Sequence, residues 1–281
     1  MLTISRQSDP LINALAVRYG ASAVAVRVAP RPFTLPATRT HDYSPFYGGA
    51  IIWTGYDGCS SGFSWNDSST QYMLTAGHCA PNGASTVTTT DANFNYVDTI
   101  GSNNAIASGS RENWTTNTGT VLLPGDSTYR GDIALITLDS NKSAGAFIYS
   151  GAKPDETSAS TVHNMWTTVP VAGEQYCTGG SNTYAICGWS VNSVRINWQY
   201  GNGEWALNVT KGLKSSGTSI NGGDSGGPVY TVNDTGTIAA KGIISGGTTG
   251  PSSCSIFSQC VQIFTDILLP YYGFPGWLKT L

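Results

Sequence analysis

The sequence predicts an all-β protein, and three observations carry that prediction. Short apolar or β-branched runs recur along the chain from Tyr43 onward. Gly, Asn, Asp and Ser punctuate them every 8–12 residues or so, the spacing of short strands joined by tight turns. Hydrophobic residues make up 40% of the 281 positions, enough to fill a core, while charged residues stay at 11%, under half the usual quarter. Over roughly 235 residues, this pattern suits either one sandwich or two packed six-stranded barrels.

The elements follow in chain order. Residues 1–42 stand apart, with five of the 14 basic residues (Arg6, Arg18, Arg27, Arg31 and Arg39) and no Cys or Trp. Asp9 to Tyr19 reads as a helix, capped by Asp9, with Pro10 in the first turn and Gly20 as the stop. Ala23 to Val28 alternates as a strand, with Val24, Val26 and Val28 on one face. Pro30, Pro32 and Pro36 then hold the chain extended as a linker. Strands are expected at Ala50–Thr54, Gln71–Thr75, Ser85–Thr90, Ile133–Leu138 and Thr167–Val171. Four more are expected at Ser193–Trp198, Pro228–Val232, Thr237–Ser245 and Ser258–Phe264. A short C-terminal helix runs from Thr265 to about Tyr272, interrupted by Pro270.

Composition excludes several functions. A net charge of −3 and a pI near 5.5 give no footprint for nucleic acid. No run approaches the 18 apolar residues of a membrane span. The six cysteines (Cys59, Cys79, Cys177, Cys187, Cys254 and Cys260) include no CxxC, and the three histidines are scattered, so no metal site is expected. An even cysteine count in a charge-poor, Ser/Thr/Gly-rich chain reads as three disulfides formed in an oxidising compartment. Met1 is not followed by a basic region and an apolar run, so either the cysteines are reduced or, as favoured here, the chain starts inside a longer precursor and its signal peptide is expected to be missing.

Three stretches carry chemistry: Leu74-Thr75-Ala76-Gly77-His78-Cys79, Arg130-Gly131-Asp132-Ile133-Ala134-Leu135 and Asn221-Gly222-Gly223-Asp224-Ser225-Gly226-Gly227-Pro228. Each alone is ordinary: a strand-end histidine, a turn aspartate, a glycine-rich turn. Together they supply the parts of nucleophilic catalysis. A serine needs an adjacent base to take its proton, and the base needs a carboxylate to fix its tautomer. Glycines beside the serine let backbone N–H groups converge on a developing oxyanion.

With these motifs in that order, the chain from residue 43 to 281 resembles the chymotrypsin-like serine proteases. They match the signatures TAGHC, GDIAL and GDSGGP. Ser44-Pro45-Phe46-Tyr47-Gly48-Gly49 is similar to the mature start of the bacterial secreted branch, the streptogrisins and α-lytic protease-like enzymes. The resemblance implies two packed six-stranded antiparallel β-barrels with the active site in the cleft between them. It implies Ser225 as nucleophile, His78 as base and Asp132 as orienting carboxylate, with an oxyanion hole from the N–H groups of Gly223 and Ser225. Ser219, Ile220, Ile244, Ser245, Gly246 and Gly247 would contact substrate. The bridges would be Cys59–Cys79, Cys177–Cys187 and Cys254–Cys260. Residues 1–42 would be the remnant of a pro-segment, most of it missing here, and active protein would begin near Tyr43 to Phe46.

Two positions depart from the bacterial pattern. No Cys lies between Cys187 and Cys254, so Cys254–Cys260 would close a small local loop. Thr178 stands where an Arg commonly pairs with the aspartate before the nucleophile, leaving Arg195 or a lysine as candidate partner for Asp224. The expectation is thus a secreted, monomeric serine endopeptidase, acting on peptide or protein substrates with an uncharged, apolar residue before the scissile bond. No cofactor, metal, nucleic-acid or membrane partner is expected. The alternatives are a catalytically inactive homologue that acts as a binding protein, and a carbohydrate-binding β-domain suggested by the eight Trp.

Overall fold

The computed structural model describes residues 2–4, 9–19, 26–28, 33–55, 57–80, 86–103, 125, 130–201, 203, 205–247 and 253–281. Near the N-terminus, Leu2–Ile4 pairs in parallel with Val26–Val28, and helix α1 spans Asp9–Tyr19 with Asp9 as its first helical residue; Gly20, the expected stop, lies outside the described residues. The strand expected from Ala23 is described only from Val26, its first residues lying outside the described ones.

The first sheet is built from β1 (Ile51–Trp53), β2 (Gly58–Ser60), β3 (Ser64–Asn66), β4 (Gln71–Thr75), β5 (Thr86–Thr90), β6 (Tyr96–Asn103) and β7 (Ala134–Leu138). Its order is β3-β4-β7-β6-β5-β1-β2, with Trp277–Leu278 added beside β3. It curls round Phe46, Ile52, Met73, Val87, Ile100 and Ile136. Two connecting strands follow, β8 (Ala144–Tyr149) and β9 (Ser158–Met165).

The second unit contains β10 (Gln175–Gly180), β11 (Tyr184–Gln199), β12 (Trp205–Lys214), β13 (Pro228–Val232), β14 (Ile238–Gly247) and β15 (Cys260–Asp266). Neighbours run β13-β10-β11-β12-β15-β14, and β14 pairs back onto β13. These six antiparallel strands therefore close into a barrel, and closure leaves no open edge among them. The architecture is an all-β chymotrypsin-like fold, one closed six-stranded barrel packed on a curled sheet. A cluster including Phe63, Leu74, Leu135, Val162 and Ile243 joins the two. Trp65 and Trp189 are wholly buried, and their indole N–H groups donate to Pro275 O and Thr178 Oγ1, as packing tryptophans do.

Two expected elements move. Thr167–Val171 is not a strand; the chain there is irregular, and the pairing strand is β9, immediately upstream. The C-terminal helix α2 spans Leu268–Gly273, because residues 265–266 complete β15.

The chain from Leu35 onward is embedded in this body. Phe33–Thr34 pairs with β9, and Leu35, Ala37, Arg39 and Asp42 are buried. Asp42 accepts from Tyr47 N (3.1 Å) and Tyr149 OH (2.8 Å). Burial pushes its carboxyl well above the usual range, against the pull of those bonds.

Candidate active site

β4 and β7 are adjacent, and their register sets Thr75 opposite Ala134. The residues just beyond, His78 in the tight turn Gly77–Cys79 and Asp132 before β7, are thereby brought together. Asp132 Oδ1 accepts the backbone N–H of His78 at 2.8 Å, and Oδ2 lies 2.8 Å from His78 Nδ1. Asp132 is fully buried, whereas the imidazole keeps 20% exposure. The Cys59–Cys79 bridge anchors the histidine turn to β2. Sulfur atoms of that bridge lie near the imidazole, but they are bonded to each other and offer no thiolate to a metal.

A third donor reaches Asp132. Ser245 Oγ donates to Oδ2, and Tyr200 OH lies 2.7 Å from Ser245 Oγ. Burial, helped by the Asp132 charge, raises the Tyr200 phenol well above its ordinary range, so it stays protonated. With the serine proton committed to the carboxylate, Tyr200 is the donor to Ser245. Thr265 fixes the aspartate backbone, accepting from Asp132 N at 2.7 Å and donating to Asp132 O at 3.1 Å.

The serine lies on a turn held from several sides. Ser225 O accepts from Ser60 N at 2.7 Å, and Gly226 N donates to Ile244 O at 2.8 Å. Gly226 has φ +87°, and a Cβ there would come within 2.2 Å of Thr75 Oγ1 and 2.3 Å of Ser60 O. Only glycine permits this approach, which seats the serine turn against the strand leading to His78. Gly223 also has positive φ, +91°, and its carbonyl lies 2.7 Å from Ser60 Oγ and 3.2 Å from Ser181 Oγ. Asn182 Nδ2 donates to Gly222 O at 2.6 Å. A trans peptide points its C=O and N–H in opposite directions, so this bond fixes the orientation of the Gly223 N–H.

Asp224 is buried, and no ion-pair contact reaches it among the described residues. Its carboxylate accepts four bonds: Asn182 N and Thr183 N on Oδ1, Thr183 Oγ1 and Asn221 N on Oδ2, at 2.6–2.9 Å. Burial raises its pKa and these donors oppose the rise. Arg195 acts on Asp266 rather than on Asp224. Among the described residues, Arg39 is a cation whose field reaches Asp224.

Of the expected substrate-contacting residues, Ile244 and Ser245 are buried on β14, and Gly246 and Gly247 end that strand. Ile220 Cδ1 approaches Gly247, and the Tyr200 ring flanks Gly246. Ser219 is 5% exposed, and its hydroxyl has no partner among the described residues. The Cys254–Cys260 bridge is present, and Ser253–Cys254 pairs with Gly217–Thr218. The small loop therefore abuts the approach to Ser219. Cys177–Cys187 joins β10 to β11. Tyr200, Ser60, Ser181, Asn182 and Arg39 were not singled out as site residues, since each reaches the site only across space.

A comparison with curated protein sequences finds no match. Solved structures do resemble the chain. Thermobifida fusca protease A is 22% identical with a TM-score of 0.54, covering 84% of this chain and 98% of its own. A Cellulomonas bogoriensis chymotrypsin is 21% identical with a TM-score of 0.51, over 84% and 98%. A glutamic-acid-specific serine protease, described as binding substrate with a histidine triad, is 21% identical with a TM-score of 0.54, over 79% and 94%. At such identities these likenesses establish the fold alone. The trypsin family model matches residues 54–268, and because that span covers well over half of the 281 residues, the chain belongs to the trypsin family.

Proposed function

We propose that this protein is a secreted, monomeric serine endopeptidase that cleaves peptide bonds through an acyl-enzyme on Ser225. The observation that supports it most is the double grip of Asp132 on His78, at the backbone N–H and at Nδ1. That grip keeps the proton on Nδ1 and leaves Nε2 as the base. In the proposed reaction Nε2 takes the Ser225 proton as Oγ attacks the substrate carbonyl. The carbonyl electron pair moves to oxygen, where the N–H groups of Gly223 and Ser225 stabilise it. Collapse breaks the C–N bond, His78 passes the proton to the leaving amine, and water repeats the sequence to release the acid. Ser245 to Gly247 would pair with an extended substrate as an added strand.

The proposed pocket takes an uncharged, apolar side chain. No Asp or Glu occurs between Glu204 and Asp224, or from Lys241 to Thr265, and Asp224 is committed to four donors. A charged side chain entering such a pocket would lose hydration without compensation, at several kcal/mol. An apolar group gains about 25 cal/mol per Å² buried. A histidine-based pocket for glutamate has no counterpart, since His41 and His163 are exposed on other elements.

Labelling with a serine-directed fluorophosphonate tests the reading. Wild type should label stoichiometrically with loss of peptidase activity, and Ser225→Ala should lower turnover by roughly 10⁴–10⁶-fold, the scale of losing a nucleophile. A wild type that binds peptides but does not label would favour the inactive binding protein. Among p-nitroanilides, those ending in Phe, Leu or Ala should exceed Arg and Glu in kcat/KM; the reverse order would overturn the pocket assignment.

A further inference from the structure

Arg39 lies in the segment expected to precede the mature enzyme, yet it has no exposed surface. The two terminal nitrogens of its guanidinium are spent on backbone carbonyls, while Nε has no partner among the described residues. Nη1 donates to Gly49 O (3.0 Å), Gly179 O (3.2 Å) and Gly180 O (3.3 Å), and Nη2 to Tyr149 O (2.6 Å) and Gly151 O (3.2 Å). One side chain thus joins the entry to the first sheet, the end of β8 and the end of β10. A buried guanidinium survives only where dipoles and an anion compensate its lost hydration. Five carbonyls and the field of Asp224 do so here, although burial lowers its pKa to about 10.

The end of β10 is one step from the catalytic turn. Gly179 and Gly180 run directly into Ser181, Asn182 and Thr183. Ser181 reaches the Gly223 carbonyl, Asn182 holds the Gly222 carbonyl, and residues 182 and 183 supply three of the four donors to Asp224. A Cβ on Gly180 would lie 2.1 Å from Asp224 Oδ1, so the two segments are in contact with no slack between them. Resting on the serine-protease reading above, we propose that Arg39 is a positioning residue for the oxyanion turn and that the segment carrying it is a permanent part of the active enzyme.

Two measurements test this. The first compares wild type with Arg39→Met and Arg39→Lys. Folded Arg39→Met should lose roughly 10²-fold in kcat with KM changed less than threefold, because a misplacement of about 1 Å in the turn costs that much. Arg39→Lys, which keeps the charge but not the fork, should recover part of the loss. A merely structural role would lower the melting temperature while leaving kcat per labelled site unchanged, and that result overturns the proposal. The second is N-terminal sequencing of wild-type protein purified by its activity, which needs no variant to fold. A start at or before Arg39 supports the proposal, and a start beyond Arg39 overturns it. Fluorophosphonate labelling of wild type keeps the two readings apart. No labelling refutes the protease itself, whereas labelling with an indifferent Arg39→Met refutes only this inference.

Discussion

Asp132 receives three hydrogen bonds on two oxygens, and the third sets up a chain from Tyr200 through Ser245 to the carboxylate and on to His78. The links are unequal. Ser245 donates to a buried charge, a bond worth about 1.5–3 kcal/mol, whereas Tyr200 donates to a neutral hydroxyl, worth about 1 kcal/mol. Ser245→Ala should therefore lower kcat by roughly 10–100-fold, and Tyr200→Phe by about fivefold. Because the tyrosine acts through the serine, its effect should vanish in the Ser245→Ala background. Steady-state kinetics on one p-nitroanilide checks all three variants, and additive effects would refute the chain. The contact of His78 with Asp132 was legible in the sequence because each sits in a short motif whose glycine marks an unusual backbone. Tyr200 and Arg39 carry no such mark. Their partners lie 45 and up to 141 positions away, and a single sequence holds no record of which distant carbonyl a side chain will meet.

At the scale of elements, strands were legible where β-branched runs end in turn residues: Gln71–Thr75 and Pro228–Val232 match the structure residue for residue. β9 was not, because its sequence, Ser-Ala-Ser-Thr-Val-His-Asn-Met, is polar and only Ala159 and Val162 are buried. Sheet position overrides propensity there, while the β-branched run at Thr167–Val171 has no strand partner among the described residues. The junction of β15 with α2 carries a pH dependence. Asp266 is largely buried, and burial raises its pKa to about 6 despite the Leu268 N–H and the field of Lys241. Its folded value lies above the unfolded one near 3.9. The stability it supports is complete below about pH 4 and is lost as pH rises to about 6. Asp266→Asn keeps an acceptor for Leu268 N and removes the charge. It should raise stability by about 2–3 kcal/mol above pH 6 and flatten the urea midpoint between pH 4 and 6. A midpoint lowered at pH 7 would show that the carboxylate is needed. The Cys254–Cys260 loop makes a second element-level case. Its ends are only 6 positions apart, so chain entropy assigns it about 2 kcal/mol. The Cys254→Ser/Cys260→Ser pair should lower stability by that amount and alter the order among Phe, Leu and Ala substrates, since the loop abuts the approach to Ser219. An unchanged substrate order would detach the loop from specificity.

The whole molecule places the candidate site where two sheets meet, and barrel closure pairs the strands beside it on both sides. β13 and β14 flank the serine turn and pair with each other, while β4 and β7 present His78 and Asp132, the proposed base and its carboxylate, from the other sheet. Each half of the machinery is held by strands whose neighbours are all paired. The N-terminal segment decides how complete this body is. In α1 the described side chains Pro10, Leu11, Asn13, Ala14, Val17 and Arg18 are exposed and Leu15 is half-buried, so the helix stabilises the body little. Leu35, Ala37, Arg39 and Asp42, by contrast, are all buried. A chain beginning at Phe33 should keep the urea midpoint of the full chain within error. A chain beginning at Tyr43 loses the Leu35 side chain, a deletion costing about 2–5 kcal/mol. It also strips five carbonyls of their guanidinium donor; Gly151 O still accepts from Ala185 N, and each buried carbonyl left unpaired costs about 1–3 kcal/mol. Those losses together match the 5–15 kcal/mol that holds a typical domain folded. The shorter chain should therefore show little cooperative unfolding by circular dichroism at 25 °C. Equal midpoints for the two truncated chains would mean that the body closes over the vacated site, and that Arg39 contributes nothing the remaining residues cannot replace.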